Sequence, residues 1–169
     1  KVDSARTSNI EQLKKTIQLN NPEAKIILAD SALLIDHPEA IHNKRVLVVE
    51  DGPTLTHGEM AFGAGVIAAQ RFGASALVDP RPFLVGTLKQ VYEDYPNIGT
   101  LLPAMGYSPE QVSDLEATIN QTDCDLVLTA TPIDLTKLIS INKPSLRVRY
   151  EYQDHGSPTL AKIIQEMFQ

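Results

Sequence analysis

RVLVVEDGPTLTHGEMAFGAG, residues 45–65, joins three local signals in one run. Arg45 to Glu50 is a short apolar stretch rich in valine, too brief for a helix, and reads as a buried strand. Asp51 to Gly58 gathers Gly, Pro and Thr and reads as a loop. From Glu59 to Phe72 the residues Met60, Phe62, Gly63, Val66, Ile67 and Ala69 follow helical spacing, and Gly73 ends the run. A buried strand that passes directly into a helix is the repeating step of a parallel sheet, since parallel neighbours need a crossover connection.

The same step recurs toward the C-terminus. Ala76–Asp79 reads as a strand, and Val85–Tyr95 as a helix behind the stiff turn Pro80-Arg81-Pro82. Ser108-Pro109-Glu110 starts another helix with Val112, Leu115 and Ile119 on one face. Leu126–Ala130 is a strand, Ile133–Ile139 a short helix, Leu146–Tyr152 a strand and Thr159–Phe168 the closing helix. Toward the N-terminus, Ile10, Leu13 and Ile17 share a helix face, with Ser8 as cap and Glu11 completing a capping box. Asn20, Asn21 and Pro22 end that helix, Lys25–Ala29 is a strand, and Asp36 to Lys44 has the composition of a linker. The expected fold is α/β: an open, mainly parallel sheet with helices on both faces and strands near 25–29, 45–50, 76–79, 126–130 and 146–152.

The 169 residues include 15 Lys plus Arg, 21 Asp plus Glu and a single Cys, with a formal charge of -6. At this length folding buries roughly 70% of the unfolded surface, enough for a core without staples. One cysteine excludes an intrachain disulfide and a multi-cysteine zinc site; Cys124 reads as a small core residue. The acidic balance argues against nucleic acid as a partner. No apolar run approaches the ~20 residues of a membrane span, and KVDSARTSN lacks a signal-peptide core, so the expectation is a cytoplasmic protein without a membrane partner. His37, His42 and His155 stand at no metal-ligand spacing and read as surface residues.

Ligands of open parallel sheets sit beyond the carboxyl ends of the strands. In the loop after residues 45–50, Thr54, Thr56 and Gly58 offer hydroxyls and backbone N–H groups to an anion, His57 a proton or positive charge, and Glu50 with Asp51 oxygen ligands for a divalent cation. The same residues also suit a tight strand-to-helix turn with Thr and His as caps. Arg81, held between two prolines, suits phosphate or carboxylate, and equally suits pairing with Asp79. Thr131, with Asp134 in the following turn, resembles a helix cap as much as a site. Arg147 and Arg149 alternate with apolar residues and would make one basic strand face, lining a cleft or facing solvent.

The motifs DGPTLTHGEM, FGAG, VDPRPF, YPNIGTLLPAMGYS, DLEATIN, CDLVLTATPIDL, INKP and RVRYE, in this order between Arg45 and Glu151, closely resemble the C-terminal region of the cyclic 2,3-diphosphoglycerate synthetase family, which also holds predicted P-loop GTPases. The opening KVDSA then resembles the end of the guanine-reading motif Asn-Lys-x-Asp, with Lys1 and Asp3 retained, and ADSALL places Ser31 and Ala32 in a base-contacting loop. The resemblance implies a fragment: residues 1–36 as the end of a split P-loop GTPase-like domain, 37–44 as linker and 45–169 as a family-specific α/β module. No GxxxxGK[ST] occurs here, so the fragment alone is expected to be inactive and to carry no cofactor. Its parent would be an ATP- or GTP-dependent ligase or GTPase using Mg2+. That parent would close an intramolecular phosphoanhydride in 2,3-diphosphoglycerate, or act as a regulatory GTPase whose C-terminal module binds a partner or another small anion. His57 and Arg81 would be its catalytic groups, and Thr54, Thr56, Gly58, Thr131, Arg147 and Arg149 its phosphate contacts. The expected partners are a small phosphorylated or anionic ligand, the N-terminal part of the same protein and a second copy in a homo-oligomer.

Overall fold

The computed structural model describes every residue except Glu59, Tyr107 and Gln169. In chain order its elements are α1 (Thr7–Asn20), β1 (Ala29–Leu34), β2 (Arg45–Asp51), α2 (Gly52–His57), α3 (Ala64–Arg71), β3 (Ala76–Leu77), α4 (Thr87–Asp94) and β4 (Leu102–Ala104). They continue with α5 (Pro109–Gln121), β5 (Leu126–Ala130), β6 (Ser145–Arg147), β7 (Arg149–Asp154) and α6 (Leu160–Met167). Single 3-10 turns occupy Pro38–Ile41, Arg81–Phe83 and Leu135–Lys137. No helix among the described residues is long and apolar enough to cross a membrane.

The chain forms two compact units, one of residues Leu33–Arg149 and one of Lys1–Ala32 with Tyr150–Gln169. The larger holds a five-stranded sheet in the order β3-β2-β5-β6, with β4 also paired to β2, and every recorded pairing is parallel. Strand β2 is central because its side chains are apolar in both directions: Val46 to Val49 are all fully buried. Val46 and Val48 face a cluster with Ile41, Leu55, Val66 and Leu128, while Leu47 and Val49 face Leu88, Leu102, Leu115 and Ile119. Alternate residues thus feed opposite faces, the pleat of a sheet covered by helices on both sides. The α/β expectation holds, and residues 45–50 and 126–130 are adjacent parallel strands.

Several local expectations are corrected. Helix α1 starts one residue before Ser8, with Arg6 at the cap position, so Ser8 caps nothing and Glu11 pairs with Lys14 Nζ at 2.8 Å. In the run Lys25–Ala29 only Ala29 is in a strand; Ile26, Ile27 and Leu28 line a groove with Ile10, Leu13 and Ile17 instead. The segment 37–44 contains a 3-10 turn whose Ile41 is wholly buried, so it packs rather than merely connects. The loop after β2 winds into α2, because Asp51 caps it and Pro53 occupies its first turn. The long helix over 59–72 shortens to α3, and residues 102–104 form a strand that Pro103 obscured. The run 146–152 breaks at Val148 into β6 and β7, which belong to different sheets. The capping box at α5 does form, between Ser108 and Gln111.

In the smaller unit β1 and β7 make a two-stranded sheet, accompanied by α1 and α6. None of its described residues is buried. Its return segment begins at Tyr150, so the C-terminal residues group with the N-terminal ones through strand pairing.

Candidate functional site

Strands β2 and β5 lie side by side, yet the chain leaves them in opposite directions: from β2 toward β3 and β4 on one edge, from β5 toward β6 on the other. Diverging loops leave a crevice at the carboxyl ends of the two strands, the place where open α/β sheets take ligands. A cavity of about 210 Å³ occupies this point, lined by Asp51 and Pro53 beyond β2, Ala104 and Gly106 beyond β4, Thr131 and Pro132 beyond β5, and an apolar wall that includes Leu115, Leu138 and Ile139. Gly52 lets β4 come close, since a Cβ there would collide with Met105 Sδ and fall 2.6 Å from the Ala104 carbonyl oxygen.

The polar groups of the crevice are set by short local bonds. Asp51 Oδ2 accepts from the Thr54 N–H at 3.2 Å and from Thr54 Oγ1 at 2.6 Å. Thr131 is buried and its hydroxyl donates to the Ile133 carbonyl at 2.5 Å. Asp134 accepts from the N–H and hydroxyl of Thr136, and that hydroxyl bond, more than any other contact, holds its carboxyl below the usual aspartate range. Arg147 reaches over from the end of β6, Nη2 donating to the Pro132 carbonyl at 2.8 Å with Nη1 3.7 Å from Asp134 Oδ2. It therefore pins the loop that forms one wall of the crevice.

Glu50 points the other way along the strand end. It is 3% exposed, and Oε1 accepts from the Val66 N–H at 3.0 Å, so a carboxylate of the protein itself satisfies the start of α3. Gly65 permits this approach: a Cβ there would stand 2.6 Å from Val48 Cγ1 and 3.1 Å from Glu50 Oε1. Among the described residues no group of three or more His, Cys, Asp or Glu side chains is placed to hold a metal.

The remaining candidates scatter. Thr56 is buried and its hydroxyl donates to the Gly52 carbonyl, while His57 is exposed and Gly58 follows it at the end of α2. Arg81 donates from Nη1 to Asp79 at 3.0 Å and from Nη2 to the Ile98 carbonyl at 2.6 Å, and its guanidinium lies 4.8 Å over the Tyr92 ring. It does not line the crevice; Thr56 and Ile98 line a different cavity. Arg149 pairs with Asp36 at 2.9 Å, and because the strand breaks at Val148 it shares no continuous face with Arg147. In the smaller unit Asp3 Oδ1 accepts from the Ser31 N–H at 3.2 Å, Lys1 Nζ sits 5.5 Å from the Tyr150 ring centre, and Ala32 lies within β1. The structure thus joins Asp51 to Thr54, Asp51 to Thr131 across the crevice, and Asp3 to Ser31. Sequence reasoning passed over the β4 end and the wall at Leu138 and Ile139. The one available signal was the apolar pair Leu101-Leu102 before Pro103.

No family model matches the chain, and no solved structure does. Over 166 residues, 98% of its length, the chain is 47% identical to a protein of Thermococcus kodakarensis named arginine synthetase ArcE, and the match spans 37% of that protein. The relative is a synthetase by name, though its name is not that of the cyclic diphosphoglycerate family that the motifs resemble.

Proposed function

We propose that the protein is part of a nucleotide-dependent synthetase of the ligase type whose product is arginine. The observation that carries this choice is the charge of the strand-end crevice: Asp51 is the one charged side chain among its described lining residues. A doubly phosphorylated substrate needs several donors to offset repulsion between its phosphates. Here Arg81, Arg147 and Arg149 each face an aspartate of the protein, and Asp51 and Glu50 already accept from backbone N–H groups near the starts of α2 and α3. Closure of a phosphoanhydride in 2,3-diphosphoglycerate is supported by the motif resemblance and opposed by this charge pattern.

The contact of Asp3 with Ser31 supports a nucleotide-base role for the smaller unit, as the resemblance implies. ATP or GTP with Mg2+ belongs to this reading as the energy source of the whole protein, bound mainly through a phosphate loop outside this chain. A regulatory GTPase would use the same contact, and for that reason nucleotide binding alone does not separate the two. The test is an assay of the full-length gene product run in the arginine-consuming direction. Arginine supplied with nucleoside diphosphate and phosphate should be consumed as nucleoside triphosphate appears, since the reverse of a synthetase reaction cleaves the bond made in the forward one and condenses the diphosphate with phosphate. A cyclic phosphoanhydride detected by phosphorus NMR from 2,3-diphosphoglycerate, or hydrolysis indifferent to both compounds, would overturn the proposal.

A further inference from the structure

Resting on the synthetase reading, we infer that the crevice between the ends of β2 and β5 is the seat of a short alkyl guanidinium, the arginine side chain, with Asp51 receiving its charged head. Three observations lead there. The crevice lies at the switch point of the sheet, where the loops after β2 and β5 part. Its walls are largely apolar, with Leu115, Leu138 and Ile139 available to a chain of methylenes. Among its described lining residues the one charge is the Asp51 carboxylate, whose described hydrogen bonds all fall on Oδ2, both from Thr54, while a carboxylate has room for about four.

The ligand class follows from that combination. A phosphate would meet Asp51 with the same sign of charge. A neutral chain would leave the carboxylate half used. An ammonium is strongly hydrated and loses more on entering an apolar crevice, whereas a guanidinium is weakly hydrated, planar and donates through a fork that matches a carboxylate. Arg147 acts here as a positioning residue: by gripping the Pro132 carbonyl and Asp134 it fixes the loop carrying Thr131 and Ile133.

The inference is tested on the wild-type 169-residue chain by amide chemical-shift titration with butylguanidinium, butylurea and pyrophosphate. Butylguanidinium should move the amides of 51–54, 104–106 and 131–138. The uncharged isostere butylurea should bind about tenfold or more weakly, the worth of a charge-assisted hydrogen bond. Asp51→Asn, if its amide spectrum stays native-like, should erase that preference. Equal affinity for the urea, shifts confined to other loops, pyrophosphate mapping to these amides, or no shifts at all would each overturn the inference. Two failures remain distinguishable. Arginine turnover by the full-length protein without guanidinium shifts at this crevice defeats the seat alone. Guanidinium shifts here without arginine turnover defeat the synthetase reading alone.

Discussion

Arg81 shows how a side chain suited to a ligand is used by the fold. Its guanidinium joins Asp79, the Ile98 carbonyl and the face of Tyr92, whose own hydroxyl donates to the Leu101 carbonyl. Burial pushes the Tyr92 phenol well above its ordinary value, so the ring stays neutral and keeps donating. Arg81→Ala should lower stability by about 1–2 kcal/mol, discounted for partial exposure, because two side-chain hydrogen bonds and one cation–ring contact disappear together. Chemical denaturation of the mutant checks this; an unchanged midpoint would return Arg81 to the pool of ligand-binding candidates. Arg45 gives a second case, at the start of β2. It pairs with Asp123 at 3.0 Å and Asp125 at 3.3 Å, and its side-chain bond to Asp123 and backbone N–H bond to Asp125 are the largest causes holding both carboxyls below the usual range. A carboxyl with a depressed folded-state value contributes stability at pH above its unfolded value, about 4, and that contribution fades as pH falls through the folded value. The denaturation midpoint of wild type should therefore drop more steeply below pH 4 than that of Arg45→Met. Salt should narrow the difference, since the pair is exposed.

At the scale of elements, continuity of apolar character was the legible signal. Strand β2 carries the unbroken apolar run Val46–Val49 and β5 the run Leu126–Leu128, and a segment so short and so apolar fits a buried strand. Where an element is held by one residue or interrupted by one, the pattern is silent. Strand β4 is three residues with a proline in the middle, and its pairing to Val49, Glu50 and Asp51 is a tertiary fact. The break after β6 carries no Gly or Pro: Val148 donates its N–H to the Thr129 carbonyl, and the next residue already belongs to the other sheet. The segment 37–44 looked like a linker because two histidines and a proline surround its single large apolar residue. That residue, Ile41, is fully buried against Val46 and its neighbours, so Ile41→Ala should cost about 2–5 kcal/mol. A loss below 0.5 kcal/mol by urea titration would restore the linker view. The site was legible in the same partial way. Asp51 and Thr131 were marked by standing just after strands, whereas Leu115, Leu138 and Ile139 come from separate segments that only the folded sheet brings to one crevice.

For the molecule as a whole, burial is divided unequally. Among the described residues every buried one belongs to Leu33–Arg149, while the smaller unit leaves Leu13 60% exposed and Phe168 85% exposed. Local opening free energies follow the density of buried apolar contact. Hydrogen exchange should therefore show amides of α1, β1, β7 and α6 exchanging well before those of β2 and β5, by an order of magnitude or more. Uniform protection across both units would contradict this.

The smaller unit is also made of two pieces separated in sequence by the whole of Leu33–Arg149. On the ribosome, β1 emerges before any strand of the sheet from β2 to β6, which is assembled entirely from later sequence. Only when Tyr150–Gln169 has left the tunnel does β1 gain its partner β7. Until then the edge that β7 covers stays unpaired by it, the feature that invites chaperones and mispairing. The strand made earlier is thus completed later, and nascent chains stalled with β6 outside the tunnel and β7 still inside it should yield protease-resistant residues 33–148 with residues 1–32 still cut away.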